Sequence, residues 1–345
     1  MSGLENLRPL LERLLDRKNL SENEAGVILS ALADPATPAA LGGALLAAVR
    51  AKGVTGEELR GFARAMRELA RRPAVNETLR SQAIDIVGTG GDASGSVNIS
   101  TGSALLAAAC GIPVIKHGNR SISSKSGSAD VLEKLGLPLP LDEQGAGACL
   151  DQLGFTFLFA PHYHPAMKAI APVRQALGVR TVFNVLGPLT NPAAPPYAIV
   201  GAFNESTAEL MADALSGMPG LTRAWVIHGA RGWDEPTPLG PFMIFDVKSG
   251  AVVRSTRTPE DYGLKRCEVA DLTGGDAAFN AAALDRVLRG HDRGAHRDAL
   301  VMGASIALEC AGRVTSPREG IAFASAVIDD GRASKMLDRL KDFAG

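Results

Sequence analysis

Asp85-Ile86-Val87-Gly88-Thr89-Gly90-Gly91-Asp92 is the stretch on which the reading of the fold turns. An apolar run, Ala83 to Val87, passes directly into three glycines within four positions. A short buried strand predicts such a run, and the glycines free the backbone to turn sharply and approach an anion closely. The spacing is neither a Walker loop, because no Gly-Lys-Ser/Thr follows, nor GxGxxG. A bare strand-to-helix turn would explain the glycines as well. Two neighbours favour a ligand: Asp92 sets a carboxylate beside the loop, suited to ribose hydroxyls or metal-bound water, and Asn98-Ile99-Ser100-Thr101 brings three short polar side chains to a helix start. Free N–H groups and the helix dipole favour phosphate there. An N-cap accounts for one of the three.

Downstream, strands alternate with helices. Ser100–Gly111 reads as a helix, Ile112–Gly118 as a strand, Asp130–Gly136 as a short helix, Gly154–Pro161 as a strand and His164–Gly178 as a helix. Tyr197–Phe203, Ala224–Gly229 and Phe242–Val247 read as strands, with a helix at Glu205–Leu215, and the closing helices are Ala277–Gly290, His296–Gly312 and Ser316–Gly331. Such alternation predicts an α/β sheet with helical crossovers. Upstream, residues 4 to about 72 show only helical periodicity, with Leu4, Leu7, Leu10, Leu11, Leu14 and Leu15 on one stripe. Ser21 with Glu24, and Thr55 with Glu58, have capping-box spacing. The expected class is α/β: a small all-helical N-terminal domain (1–72, joined by helices near 165–190) and a large α/β domain (78–345) with a mostly parallel central sheet.

Of the 345 residues, 46% are hydrophobic and 21% charged, the balance of an ordinary globular protein. The formal net charge is −1 without a basic stripe, and aromatics are only 5%, so nucleic acid is not an expected partner. Cys110, Cys149, Cys267 and Cys310 are widely spaced, which argues against a disulfide framework or zinc site. The N-terminal segment is interrupted by charges, and the longest apolar run, Gly102–Ile115, is shorter than the roughly 20 residues a membrane span needs. A cytoplasmic protein without membrane partners is expected.

Three further stretches carry chemistry. Lys116 to Asp130 holds three cations, five serines and two glycines directly after a buried strand, a set suited to a phosphate ester. His162 and His164 form an HxH pair, more typical of hydrogen-bonded structural histidines than of a metal site; Arg174, on the following helix, reads as a surface arginine or a carboxylate clamp. Asp234-Glu235 lies beyond a strand, where paired carboxylates are able to ligate Mg²⁺.

Taken in order, DIVGTGGD, NIST, KHGNRSISSKSGSADVLEKLG and APHYHPAMKAIAPVRQALGVRTVFNVLGPLTNP resemble the anthranilate phosphoribosyltransferase family over nearly the whole chain. The resemblance implies an architecture of the nucleoside phosphorylase/phosphoribosyltransferase type and a homodimer through the small domains. It implies phosphoribosyl diphosphate as donor, anthranilate as acceptor and Mg²⁺ as cofactor, in tryptophan biosynthesis. The donor would meet Gly88, Gly91, Asp92, Ser96, Asn98, Ile99, Ser100, Thr101, Lys116, His117, Gly118, Asn119, Arg120, Ser121, Ile122, Ser123, Ser124 and Ser128. Gly88, Asn119 and Arg174 would meet anthranilate, and Ser100, Asp234 and Glu235 the metal. An arylamine is neutral near pH 7 and needs no strong base; His117 would be the late proton acceptor if one is used. The sequence departs from the family pattern at Ser96, at Trp233, in the proline-rich stretch Pro236–Pro241 and at Met302-Gly303. Alternatives are a paralogue with another aromatic or heterocyclic acceptor, a nucleoside phosphorylase, and a nucleic-acid-binding relative without catalysis.

Overall fold

The structure, a computed structural model, describes residues 3–90, 94–121 and 125–344. Its centre is a seven-stranded sheet: β1 (Ile84–Gly88), β2 (Val114–Gly118), β3 (Phe155–Phe159), β4 (Tyr197–Gly201), β5 (Arg223–His228), β6 (Phe242–Lys248) and β7 (Ala251–Arg257), in the order β3-β2-β1-β4-β5-β6-β7. The first five strands are mutually parallel, and β6 and β7 add antiparallel to the β5 edge.

Both faces of the sheet are covered, as a parallel sheet requires. Along β4 and β5 the side chains divide by alternation. Ile199, Trp225 and Ile227 join a core built with the helices Ile99–Ala109, Ala277–Leu288, Ala295–Cys310, Pro317–Asp329 and Arg332–Asp342. Ala198, Val200, Ala224 and Val226 join the other core, with the helix Glu205–Ser216 and the N-terminal helices. Those are Gly3–Leu15, Glu22–Ala33, Ala39–Lys52 and Gly56–Glu68, and the caps at Ser21 and Thr55 form as full capping boxes. Ile170, Phe183 and Leu186 from the 167–189 region pack into the same core. The helical unit is therefore continuous with one face of the sheet. Arg60 ties it there: its guanidinium pairs with Glu22 and reaches the carbonyls of Asp213 and Ala214 at the end of the helix Glu205–Ser216.

Some elements lie outside what periodicity indicates. The helix Glu143–Leu153 carries glycines at 145 and 147, which weaken its pattern. The closing helix Arg332–Asp342 is strongly charged, with only Ala333, Met336, Leu337 and Leu340 buried. Strand β7 is almost wholly exposed, so it lacks a buried alternation. A signal for β7 does exist: Ser249 (φ 52°) and Gly250 (φ 78°) form the two left-handed positions of a tight hairpin turn after β6. No helix among the described residues is long and apolar enough to cross a membrane.

Candidate active site

β1 and β4 are neighbours in the sheet but far apart in the chain, so the connections leave them in opposite directions. A crevice at the carboxyl ends of the strands is the physical consequence of such a switch. Gly88 ends β1 and pairs with Gly201, which ends β4. The loop after β5 closes over both. A Cβ on Gly88 would lie 2.5 Å from Asp234 Oδ2, and one on Gly201 would overlap the Asp234 carbonyl, so only glycine admits the loop at this depth.

That loop delivers two carboxylates to the glycine turn. The Gly90 N–H donates to Asp234 Oδ2 (2.6 Å), with Thr89 Oγ1 at 3.4 Å. The Ser100 N–H, at the start of the helix Ile99–Ala109, donates to Glu235 Oε1 (2.9 Å). Lys116, only 2% exposed, points from β2 into the same place; its ammonium donates to the Ile86 carbonyl and lies 3.4 Å from Ser100 Oγ. Burial pulls the Lys116 pKa down, opposed by Asp85, Glu235 and Asp234. Four segments distant in sequence thus meet within hydrogen-bond reach.

The other predicted donor residues divide. Gly91, Asp92, Ile122, Ser123 and Ser124 lie outside the described residues. Asn98 is the N-cap residue by position but makes no side-chain cap bond; its side chain is held by Asn280 Nδ2 (2.8 Å) and by Ser126 instead. Ile99 is buried in the core, which leaves its backbone as the part facing a ligand, and the Thr101 hydroxyl is buried without a hydrogen-bond partner among the described residues. Ser96 Oγ sits 3.3 Å from Ser94 Oγ, and Ser96 bridges to Thr273. Gly118, Asn119 and Ser128 form the rim beyond β2: a Cβ on Gly118 would lie 2.6 Å from Ser128 Oγ, which donates to the Asn119 carbonyl (3.3 Å). Asp130 Oδ2 accepts the Ser121 and Gly127 N–H groups and fixes the returning loop. Arg120 is engaged within the protein. Its guanidinium binds Asp130 and Glu133 and lies over Phe159.

His117 is also placed differently from a proton acceptor beside the donor. Successive strand residues face opposite sides, so its ring lies on the side away from Lys116. There its Nε2 is 3.2 Å from His164 Nε2, with the two rings edge to face. Burial lowers the pKa of both, that of His164 to about 4, so both are neutral near pH 7 and His117 is a poor base. His162 turns instead to Glu143, 3.6 Å away, so the HxH pair is no metal site.

Behind the histidines is a buried polar group to which the sequence assigned no role. Asp85, 2% exposed on β1, accepts the His117 N–H (3.3 Å) and Asn191 Nδ2 (2.9 Å), and Asn191 also donates to the Ile115 carbonyl. Desolvation pushes the Asp85 pKa up to about 6. Its signal was an acid inside an apolar strand. On the helical side, Arg174 is half-buried with its guanidinium 5.0 Å from the Phe183 ring centre. No hydrogen bond or ion pair of that guanidinium occurs among the described residues, and none of its contacts joins it to Gly88 or Asn119.

Asp234, Glu235 and the Ser100 hydroxyl suit a hard cation. They are oxygen donors, and the Gly90 and Ser100 N–H groups hold both carboxylates in place. No cluster of three or more His, Cys, Asp or Glu gathers into a metal cage among the described residues. The arrangement thus fits Mg²⁺, which retains water and shares its coordination with phosphate oxygens.

Comparisons with known proteins give the arrangement its lineage. Residues 8–70 match the model of a glycosyl transferase family, helical bundle domain, and residues 80–334 that of a glycosyl transferase family, a/b domain. The anthranilate phosphoribosyltransferase of Methylocella silvestris is 44% identical over 98% of this chain and 95% of its own length. That of Phenylobacterium zucineum is 45% identical over 96% and 97%. The crystal structure of the Thermus thermophilus anthranilate phosphoribosyltransferase superposes with a TM-score of 0.89 at 41% identity, covering 96% of this chain and 98% of that one. The Saccharomyces cerevisiae enzyme in complex with PRPP and Mg gives 0.87 at 26% identity, covering 98% and 97%. With its helical unit and its α/β unit both matched almost end to end, the chain belongs to the anthranilate phosphoribosyltransferase family.

Proposed function

We propose that the crevice at the β1/β4 switch holds phosphoribosyl diphosphate against anthranilate, and that the chain transfers the 5-phosphoribosyl group to the anthranilate amine, releasing diphosphate. The observation that carries this reading is the convergence of Asp234 and Glu235 on the Gly90 and Ser100 N–H groups beside Lys116. It sets backbone donors, a cation and two metal-competent carboxylates around a single volume, the set a diphosphate–Mg²⁺ pair requires.

In this reading Gly88, Asn98, Ser100, Lys116 and the 118–128 loop hold the donor. Ser100, Asp234 and Glu235 hold Mg²⁺, which when bound neutralises charge on the departing diphosphate. The C1–O bond breaks through an oxocarbenium-like transition state, so the protein's work is electrostatic stabilisation and positioning of a neutral amine. Arg174, with Asn119 and Gly88, takes the acceptor; a guanidinium matches its carboxylate with two parallel hydrogen bonds. The chain acts in the cytoplasm as a homodimer joined through its helical units.

The test is the loss of anthranilate fluorescence on mixing protein, phosphoribosyl diphosphate and Mg²⁺, with sedimentation for the dimer. Turnover that depends on all three components supports the reading. Turnover only with a different aromatic acceptor would replace it with the paralogue.

A further inference from the structure

Asn204 and Asn98 both stand at helix N-caps, yet only Asn204 caps. Its backbone is extended (φ −153°, ψ 165°), and its Oδ1 accepts the Thr207 N–H (2.7 Å) at the start of the helix Glu205–Ser216. Asn98 holds φ −70° and ψ 71°, and its side chain makes no cap bond to the helix Ile99–Ala109. A capping side chain accepts from the second or third N–H of its helix. The second here belongs to Ser100, and that N–H goes to Glu235 Oε1 instead (2.9 Å).

Asn280 is what withholds Asn98. It lies on the buried face of the helix Ala277–Leu288, in line with Leu284, Val287 and Leu288, where periodicity favours an apolar side chain, and it is 2% exposed. A polar group there destabilises the fold unless its amide is bonded at both ends. Its Oδ1 accepts the Gly275 N–H (2.7 Å), which fixes the orientation of the amide, and its Nδ2 donates to Asn98 Oδ1 (2.8 Å). The segment before Asn280 is itself tied to the run leading into Asn98. The Val97 N–H donates to the Leu272 carbonyl (3.1 Å) and the Gly274 N–H to the Gly95 carbonyl (2.8 Å), and a Cβ on Gly274 would lie 2.4 Å from the Ser96 carbonyl oxygen. Held in this way, Asn98 turns toward the loop after β2: its Nδ2 donates to the Ser126 carbonyl (3.3 Å), and its Oδ1 accepts from Ser126 Oγ (3.4 Å).

We propose that Asn280 is a positioning residue for the phosphoribosyl donor: it holds the Asn98 amide out of the cap position and against Ser126, so that the Ser100 N–H stays with Glu235 and the loops after β1 and β2 keep one fixed spacing. This rests on the donor reading given above. Asn280 acts through Asn98. Once its Nδ2 is removed, the Asn98 amide is free to rotate into the cap, where its Oδ1 competes with Glu235 for the Ser100 N–H. The loss then falls on the donor and its metal and not on the acceptor, because Ser100, Glu235 and Ser126 all lie on the donor's side of the crevice.

Asn280→Asp isolates the contact, because its carboxylate still accepts the Gly275 N–H and loses only the donor to Asn98. Affinity for phosphoribosyl diphosphate with Mg²⁺, measured by calorimetry, should fall roughly tenfold, as for loss of one buried hydrogen bond. The KM for phosphoribosyl diphosphate should rise by the same factor, with kcat and the KM for anthranilate nearly unchanged. A cycle with Asn98→Ala separates positioning from support of the fold: with the Asn98 amide already gone, Asn280→Asp should weaken donor binding no further. Asn280→Ala gives a second route through the same cycle if a buried carboxylate prevents folding. Losses that multiply in the double variant, an equal loss for both substrates, an unchanged donor affinity, or insolubility of both Asn280 variants would overturn the proposal and leave Asn280 as a support for Gly275. Failure of the unmodified protein to bind phosphoribosyl diphosphate would instead overturn the donor reading itself.

Discussion

The two walls of the crevice are built on opposite principles. On the sheet wall the charged groups already hold one another: Glu235 accepts the Ser100 N–H, Asp234 the Gly90 N–H, and Lys116 donates to a carbonyl and approaches Ser100. On the helical wall Arg174 rests on the Phe183 ring without a hydrogen bond or ion pair of its guanidinium among the described residues. A diphosphate with its Mg²⁺ entering the sheet wall exchanges hydrogen bonds for hydrogen bonds, so selectivity there comes from fixed geometry. A single carboxylate entering the helical wall meets a waiting cation, so selectivity there comes from charge.

The largest effect should fall on the sheet wall. Asp234→Ala or Glu235→Ala should lower turnover by about 100- to 1000-fold, the range for loss of a preorganised electrostatic group, while circular dichroism and Tm show an intact fold. Unreduced turnover in either variant at saturating Mg²⁺ would erase the contrast, since the pre-bonded carboxylates would then be structural only.

Next comes the helical wall. Arg174→Ala should raise the KM for anthranilate by roughly ten- to a hundred-fold, corresponding to about 1.5–3 kcal/mol for a charge-assisted bond, and leave that for phosphoribosyl diphosphate nearly unchanged. Arg174→Lys should recover only part, because an ammonium cannot make the paired contact. Steady-state kinetics in which both constants rise equally would move Arg174 from recognition to support of Phe183.

A smaller effect tests whether geometry governs the sheet wall. Gly90 has φ +65°, yet a Cβ there would meet nothing within 4 Å. Gly90→Ala therefore adds only backbone strain, about 1–2 kcal/mol, and should weaken donor binding roughly tenfold by calorimetry. Gly90→Asn should be milder, since asparagine tolerates the left-handed region. Normal donor affinity in Gly90→Ala would show that the turn adjusts freely.

The smallest effect lies in the buried group between the walls. The His164 pKa falls from 6.5 to about 4 on folding, so its stabilising contribution is present above pH 6.5 and is lost as pH falls toward 4. The Asp85 pKa rises from 3.8 to about 6, so its contribution is present below pH 3.8 and is lost as pH rises through 6. The two slopes oppose each other in one window. Tm measured between pH 4 and 6.5 should therefore fall more steeply toward acid in Asp85→Asn, and less steeply in His164→Asn, than in the unmodified chain. Identical slopes in all three would contradict the opposed titrations.

Much was legible in the linear order of residues because the interactions concerned are local. The capping boxes at Ser21 and Thr55 need only a three-residue spacing, and β1 with its glycine turn needs only an apolar run followed by freedom of rotation. The Asp234-Glu235 pair and Lys116 were legible as chemistry-bearing residues beside strands, and the fold then gathered them at Ser100. Strand β7 and the helix Glu143–Leu153 were hidden because exposure in one and glycines in the other erase the periodicity that burial imprints. Tertiary structure alone decided which way each polar side chain turned. Lys116 and His117 are adjacent in the chain, yet the pleat of β2 sends one to the crevice and the other to His164. Arg120 was taken up by Asp130 and Glu133, while the Arg174 guanidinium was left resting on the Phe183 ring, because pairing depends on what the folded chain brings within a few ångströms and not on the order in which residues are joined.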